Sequence, residues 1–101
     1  MPFPEVDADP GVRRQVLADA PELMVVAFRF AAGAEGKPHN HPHVQSTFVQ
    51  SGRFRFTVAG ETRELGPGDS LVVPPDAVHG CTCLEAGTLI DNFTPRRDDF
   101  L

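Results

Sequence analysis

The amino-acid sequence predicts an all-β domain, a sandwich or barrel of short strands. Three observations lead there. Ten prolines and nine glycines break the chain at short intervals. Between the breaks, apolar and polar residues alternate, or valine and phenylalanine cluster, as in half-buried strands. No stretch carries the apolar period of a convincing helix.

The elements follow in order. "VRRQVL" (12–17) alternates, and "ELMVVAFRF" (22–30) is rich in Val and Phe before ending at "AAGAEGKP". "HNHPHVQSTFVQ" (39–50) leads to a turn at Ser51-Gly52. "RFRFTV" (53–58) sets Phe54, Phe56 and Val58 on one face, with Arg53, Arg55 and Thr57 on the other. "AGE" turns into "TREL" (62–65), and "GPGD" (66–69) turns into "SLVV" (70–73). "PPDA" leads to "VHGCTCL" (78–84), "EAG" to "TLIDNF" (88–93), and "TPRRDDFL" forms a tail. Seven or eight strands are expected, in a single domain over residues 1–101 with no repeat or linker.

Composition narrows the function. With 41% hydrophobic and 23% charged residues, the chain reads as globular rather than disordered. A formal charge of −5 and no basic run argue against a nucleic-acid partner. "MPFPEVDADP" lacks the features of a secretory signal, and the longest wholly apolar run, Leu23 to Phe28, is too short to cross a bilayer. Cys81 and Cys83 lie too close in sequence for an unstrained disulfide and are expected to be free thiols. A cytoplasmic protein with no membrane partner is the expectation.

The stretch richest in chemistry is "GAEGKPHNHPHVQSTFVQSG" (33–52), which holds three of the four histidines. On a continuous strand His39, His41, His43 and Gln45 would all face inward. Imidazoles at alternate positions can share a divalent ion. Pro42 interrupts such a strand and would turn one histidine away. A histidine-rich loop facing solvent is the competing reading. His79, far along the chain after "GDSLVVPPDAV", matters only if the fold returns it to this cluster.

Gly33-x5-His39-x-His41-x3-Gln45-x6-Gly52 resembles the first motif of the cupins, where the last ligand is usually glutamate. Gly68-x5-Pro74-x4-His79 resembles their second motif, although its usual distal asparagine falls on Cys83. The resemblance implies a jelly-roll β-barrel. It also implies a divalent transition-metal ion (Zn, Ni, Mn, Fe or Cu) in each subunit, held by His39, His41, Gln45 and His79. Glutamine in place of glutamate leaves the ion's charge uncompensated, favouring Lewis-acid work on anionic oxygen over oxygen chemistry. His43 becomes a structural residue near the mouth, and Cys81 and Cys83 small core residues.

In the last strand, Leu89, Asp91 and Phe93 share a face. A carboxylate there is either buried and used, or turned to solvent as a turn cap. The ending Asp91-x-Phe93-x-Pro95-x-Arg97, followed by Asp98, Asp99, Phe100 and Leu101, resembles the small uronate-ketonising (KdgF-type) cupins of pectin and alginate breakdown. That resemblance implies ring opening and ketonisation of 4,5-unsaturated monouronates, an acidic sugar substrate. Asp91 would be the proton shuttle, Arg97 the carboxylate-orienting cation and Phe93 an apolar wall. Arg97 could instead pair with Asp98, Asp99 or a partner subunit. An oxygen-dependent dioxygenase and a non-catalytic small-acid binder are the alternatives. Small cupins also imply a homodimer, formed by burying a sheet face or by exchanging the N-terminal segment 1–20, chiefly 3–17, between subunits.

Overall fold

The computed structural model describes residues 3–101. Ten strands run in chain order among these residues: β1 (Val6–Asp9), β2 (Val12–Ala20), β3 (Leu23–Phe30), β4 (Glu35–His39) and β5 (Val44–Val49), then β6 (Arg53–Val58), β7 (Glu61–Leu65), β8 (Ser70–Val73), β9 (His79–Glu85) and β10 (Gly87–Thr94). A short 3₁₀ turn, Asp98–Phe100, follows. The strands form a six-stranded sheet, β1-β2-β3-β10-β5-β8, and a four-stranded sheet, β4-β9-β6-β7. Every pairing is antiparallel. This is the jelly-roll arrangement expected, but its two sheets face each other without closing into a hydrogen-bonded barrel.

Two strands lie outside the expected set. β1, "VDAD", is short and acidic, and it forms by pairing with β2 rather than by its own propensity. β4, "EGKPH", reads locally as a turn because of Gly36 and Pro38. Its place at the edge of the four-stranded sheet tolerates the proline, which has no N–H to donate, and its ladder to β9 is irregular between Gly36 and His39.

The histidine run does not form one continuous strand with His39, His41, His43 and Gln45 on one face; it is interrupted around Pro42, as expected, and goes further by crossing to the other sheet. β4 ends at His39, residues 40–43 leave the ladder, and β5 begins at Val44 in the opposite sheet. Pro42 supplies the physical reason, since it removes an N–H and restricts His41 before it. His39 and Gln45 therefore sit on facing sheets, with His41 on the crossing between them.

Alternation places Leu89, Asp91 and Phe93 of β10 inward, at 2%, 6% and 1% exposure, so the solvent-cap reading of Asp91 is excluded. The core divides into two clusters. One joins Phe30, Val49, Phe54, Leu71 and Leu89; the other joins Val16, Met24, Val26 and Phe93. Arg53 and Arg55 lie on the outer face, as expected. β2 pairs with β3 of the same chain from Val12↔Phe30 to Ala20↔Leu23. Met1 and Pro2, the start of the segment expected to exchange, lie outside the described residues.

Two glycines separate steric crowding from backbone strain. Gly52 has φ +80°, and a Cβ there would lie 2.5 Å from the Glu85 carbonyl oxygen. Gly60 has a similar φ of +84° with nothing near. Gly60→Ala should cost about 1 kcal/mol from φ alone, and Gly52→Ala at least about 2 kcal/mol more. Denaturant midpoints of the two variants measure this; equal losses would contradict the packing of the β5–β6 turn on the β9–β10 turn.

Candidate metal and substrate site

Three of the four histidines converge. His39, the last residue of β4, pairs in register with His79, the first residue of β9, and His41 enters from the crossing segment. One ring nitrogen from each lies within 4.8 Å of the others. His39 Nδ1 lies 2.8 Å from the Lys37 carbonyl and His79 Nδ1 lies 2.9 Å from the Ala77 carbonyl. A carbonyl only accepts, so each Nδ1 carries the proton and each Nε2 keeps its lone pair. His79 Nε2 is buried without a hydrogen-bond partner. Burial pushes the His79 pKa down to about 4 and lowers that of His41, so both are neutral imidazoles near pH 7.

Gln45 adds a fourth neutral donor. Its Oε1 lies 3.0 Å from His41 Nε2. Its Nε2 donates to Thr47 Oγ1 at 2.9 Å and to Asp91 Oδ2 at 3.3 Å, which fixes the amide with oxygen toward the histidines. Lone pairs held in fixed tautomers on exposed His39 and buried His79, with the buried His41 ring and a carbonyl-type oxygen beside them, fit a divalent transition-metal ion. The residues that could hold it are the four expected ones.

Thr47 completes the network by donating to Asp91 Oδ1 at 2.7 Å. Burial pushes the Asp91 pKa up to about 7, against the Thr47 hydrogen bond and the positive charge of Arg97. His41, Gln45, Thr47, His79 and Asp91 are the buried polar residues among those described, and they all belong to this one site. The sequence reading missed Thr47. Its only signal was parity, two residues beyond Gln45 on β5, and a threonine in a strand is ordinary without knowledge of the facing carboxylate.

A cavity of about 310 Å³ opens here, lined by His39, His79, Gln45, Asp91, Phe93 and Arg97 among others. Arg97 lies with its guanidinium 5.1 Å from the Phe93 ring centroid. Its Nε and Nη2 donate to the two oxygens of Asp99 at 3.0 and 2.8 Å, so that edge of the fork is already occupied. His43 stays outside the three-histidine cluster, with its ring 5.4 Å from that of His41. Cys83 is core at 1% exposure. Cys81 lines the cavity, its thiol pKa pushed up to about 12 by burial. Both cysteines are free.

Residues 26–90 match the cupin domain family. The chain is 41% identical over 93 residues to the pectin degradation protein KdgF of Dickeya dadantii strain 3937, spanning 90% of this chain and 84% of that protein. The chain belongs to the cupins, and among them to the KdgF group. The crystal structure of an RmlC-like cupin from Shewanella frigidimarina superposes on this cupin with a TM-score of 0.94 at 42% identity, covering 98% of this chain and 89% of the other. KdgF from a Halomonas species superposes with a TM-score of 0.92 at 42% identity, covering 98% and 92%.

The buried groups of this cupin set opposed pH dependences. His79 is protonated in the unfolded chain near pH 6.5 but in the fold only near 4, so acidification through that window removes stability. Asp91 is protonated in the fold near pH 7 but in the unfolded chain only near 3.8. Its contribution is complete below the lower value and lost as pH rises through the upper one. In chelator-treated protein, Asp91→Asn should therefore lose stability more steeply than the parent between pH 7 and 4. The gap should reach a few kcal/mol, since each tenfold difference in proton affinity between fold and unfolded chain is worth about 1.4 kcal/mol. Melting curves across that range test this, and parallel profiles would contradict it.

Proposed function

We propose that this cupin opens the ring of a 4,5-unsaturated monouronate and ketonises it to a linear 5-keto sugar acid. The observation that carries the reading is Asp91, a buried carboxyl titrating near neutrality, hydrogen-bonded to Gln45 of the donor set at a cavity of monosaccharide scale. Similarity to KdgF proteins, one of them named for pectin degradation, supports uronates as the substrate class.

The reaction moves a proton from the anomeric oxygen to C4, breaks the bond between C1 and the ring oxygen, and turns C5 into a ketone. No net oxidation occurs. Asp91 in its carboxylate form accepts the anomeric proton, and in its acid form delivers a proton to C4. A pKa near 7 keeps both forms populated for that exchange. Phe93 packs against the sugar ring as an apolar wall. Arg97 keeps Nη1 for a substrate oxygen, since Asp99 holds its other edge. His39, His41, Gln45 and His79 would hold a divalent ion, which when bound would supply Lewis-acid stabilisation of negative charge on the uronate oxygens. Four neutral donors suit that task better than they suit an oxygen-dependent dioxygenase, which gains from a carboxylate ligand at higher oxidation states.

The reading is tested by following the conjugated enol-ether absorbance of unsaturated galacturonate and its alginate-derived counterpart. Metal-loaded protein should accelerate the loss, and chelation should abolish it until a divalent ion is restored. Asp91→Asn should reduce the rate at least about a hundredfold. Substrate decaying only at its spontaneous rate with pure, metal-loaded protein would refute the reading.

We infer further that the protein works as a cytoplasmic homodimer, the free thiols being suited to a reducing compartment. Exchange of the N-terminal segment between subunits would replace the β2–β3 pairing with the same pairing across chains. Sedimentation at micromolar concentration should give twice the 11.0 kDa chain mass, whereas a monomer would rule the dimer out.

A further inference from the structure

The charge left over in this pocket sits on a residue that no motif assigned. Arg14 lies on the inward face of β2, between Val12 and Val16, which are 3% and 4% exposed. Such a position is costly for a guanidinium unless something balances it. The other part-buried arginines are balanced: Arg29 pairs with Glu5, Arg96 with Asp19 and Asp98, and Arg97 with Asp99. Arg13, one residue away on the outer face, holds Glu5 and Asp7. Arg55 and Arg63 have no ion pair but are exposed to solvent. Among the described residues, Arg14 is the part-buried arginine with neither an ion pair nor a side-chain hydrogen bond.

Its aim is nevertheless fixed. The Arg14 guanidinium lies 4.1 Å from the centroid of the Phe100 ring, and the Arg97 guanidinium lies 4.3 Å from the same centroid. Phe100 is itself held edge-on by Phe28 and Phe93, at 6.1 and 5.8 Å between centroids. Arg14 also lines the cavity that contains His39, His79 and Asp91. One aromatic ring thus brings two cations to one wall of the pocket, and only one of them has a carboxylate.

We propose that Arg14, rather than Arg97, supplies the bidentate guanidinium fork that binds the carboxylate of the substrate, with Phe100 as the platform that aims it. Arg97 has given its Nε–Nη2 edge to Asp99, which already matches its charge, while both edges of Arg14 are open and its charge has no carboxylate partner. A carboxylate arriving there neutralises the charge that the fold leaves uncompensated. Arg14 is in this account a substrate-binding residue that selects acids over neutral sugars, and the proposal rests on the uronate reading above for its ligand class.

Two measurements separate the proposals. Metal-loaded wild type, Arg14→Gln and Arg14→Lys are titrated with D-galacturonate and with D-galactose. Wild type should prefer the acid, and Arg14→Gln should lose about tenfold or more in affinity for the acid alone, as expected for losing a charge-assisted pair of hydrogen bonds. Arg14→Lys, which keeps the charge without the fork, should recover only part of it. Turnover of unsaturated galacturonate by the same proteins should show KM rising in Arg14→Gln by a similar factor, with a much smaller change in kcat. Melting temperatures identify any variant that has lost its fold, and Arg14→Lys then carries the comparison. Galacturonate affinities that match across the folded variants overturn the Arg14 proposal, whether or not wild type turns over substrate. Acid binding that depends on Arg14 in a protein without turnover upholds it and removes the proposed reaction instead.

Discussion

The site depends on one demand, that a carboxylate be kept inside a thin two-layered sandwich. Asp91 lies on the inner face of β10 between Leu89 and Phe93, where an unsatisfied charge would be untenable. Thr47 and Gln45 answer it from the neighbouring strand. Gln45 serves two directions at once, its nitrogen toward Asp91 and its oxygen toward His41. A glutamate at position 45 would set a second carboxylate against Asp91, and like charges at that distance would not both ionise. The amide therefore makes a buried Asp91 compatible with a neighbour that turns its own oxygen toward the histidines.

That arrangement couples the sheets. His39 and His79 come from the four-stranded sheet; Gln45, Thr47, Asp91 and Phe93 come from the six-stranded one. Neither sheet holds a complete site, so the spacing of the donors is set by packing between layers. The two apolar clusters maintain that spacing. Crowding at Gly80 is part of the same fit, since a Cβ there would meet the Gly36 carbonyl oxygen at 2.8 Å and hold β4 away from β9, and with it His39 away from His79.

Much of this was legible in the sequence where the signal is local. Alternation alone placed Leu89, Asp91 and Phe93 together and put Arg53 and Arg55 outside. Two motif spacings joined His79 to the first histidines, which periodicity could not have done. The losses came where pairing is long-range. "EGKPH" looks like a turn until β9 is beside it. Pro42 announces a break among three evenly spaced histidines, but not that the chain crosses there to the other sheet. The partners of Asp91 lie 44 and 46 residues away in sequence. Arg14 gave little signal, because parity in "VRRQVL" sets it with Val12 and Val16 but does not reveal that it lacks an ion pair or that Phe100 turns it toward the cavity.

Pro38 bears on how this protein meets other copies of itself. A sheet border offers a row of free backbone groups that can template another chain, and β4 interrupts its row with a residue that has no N–H. The three remaining borders are blunted by other means. β1 is four residues long with two aspartates, β7 reads "ETREL" with three charges, and β8 is four residues long and runs into Pro74 and Pro75. None of the four presents a long, flat, uncharged ladder. Growth by lateral strand addition, the geometry of fibrils, is discouraged at each of the four sheet borders among the described residues.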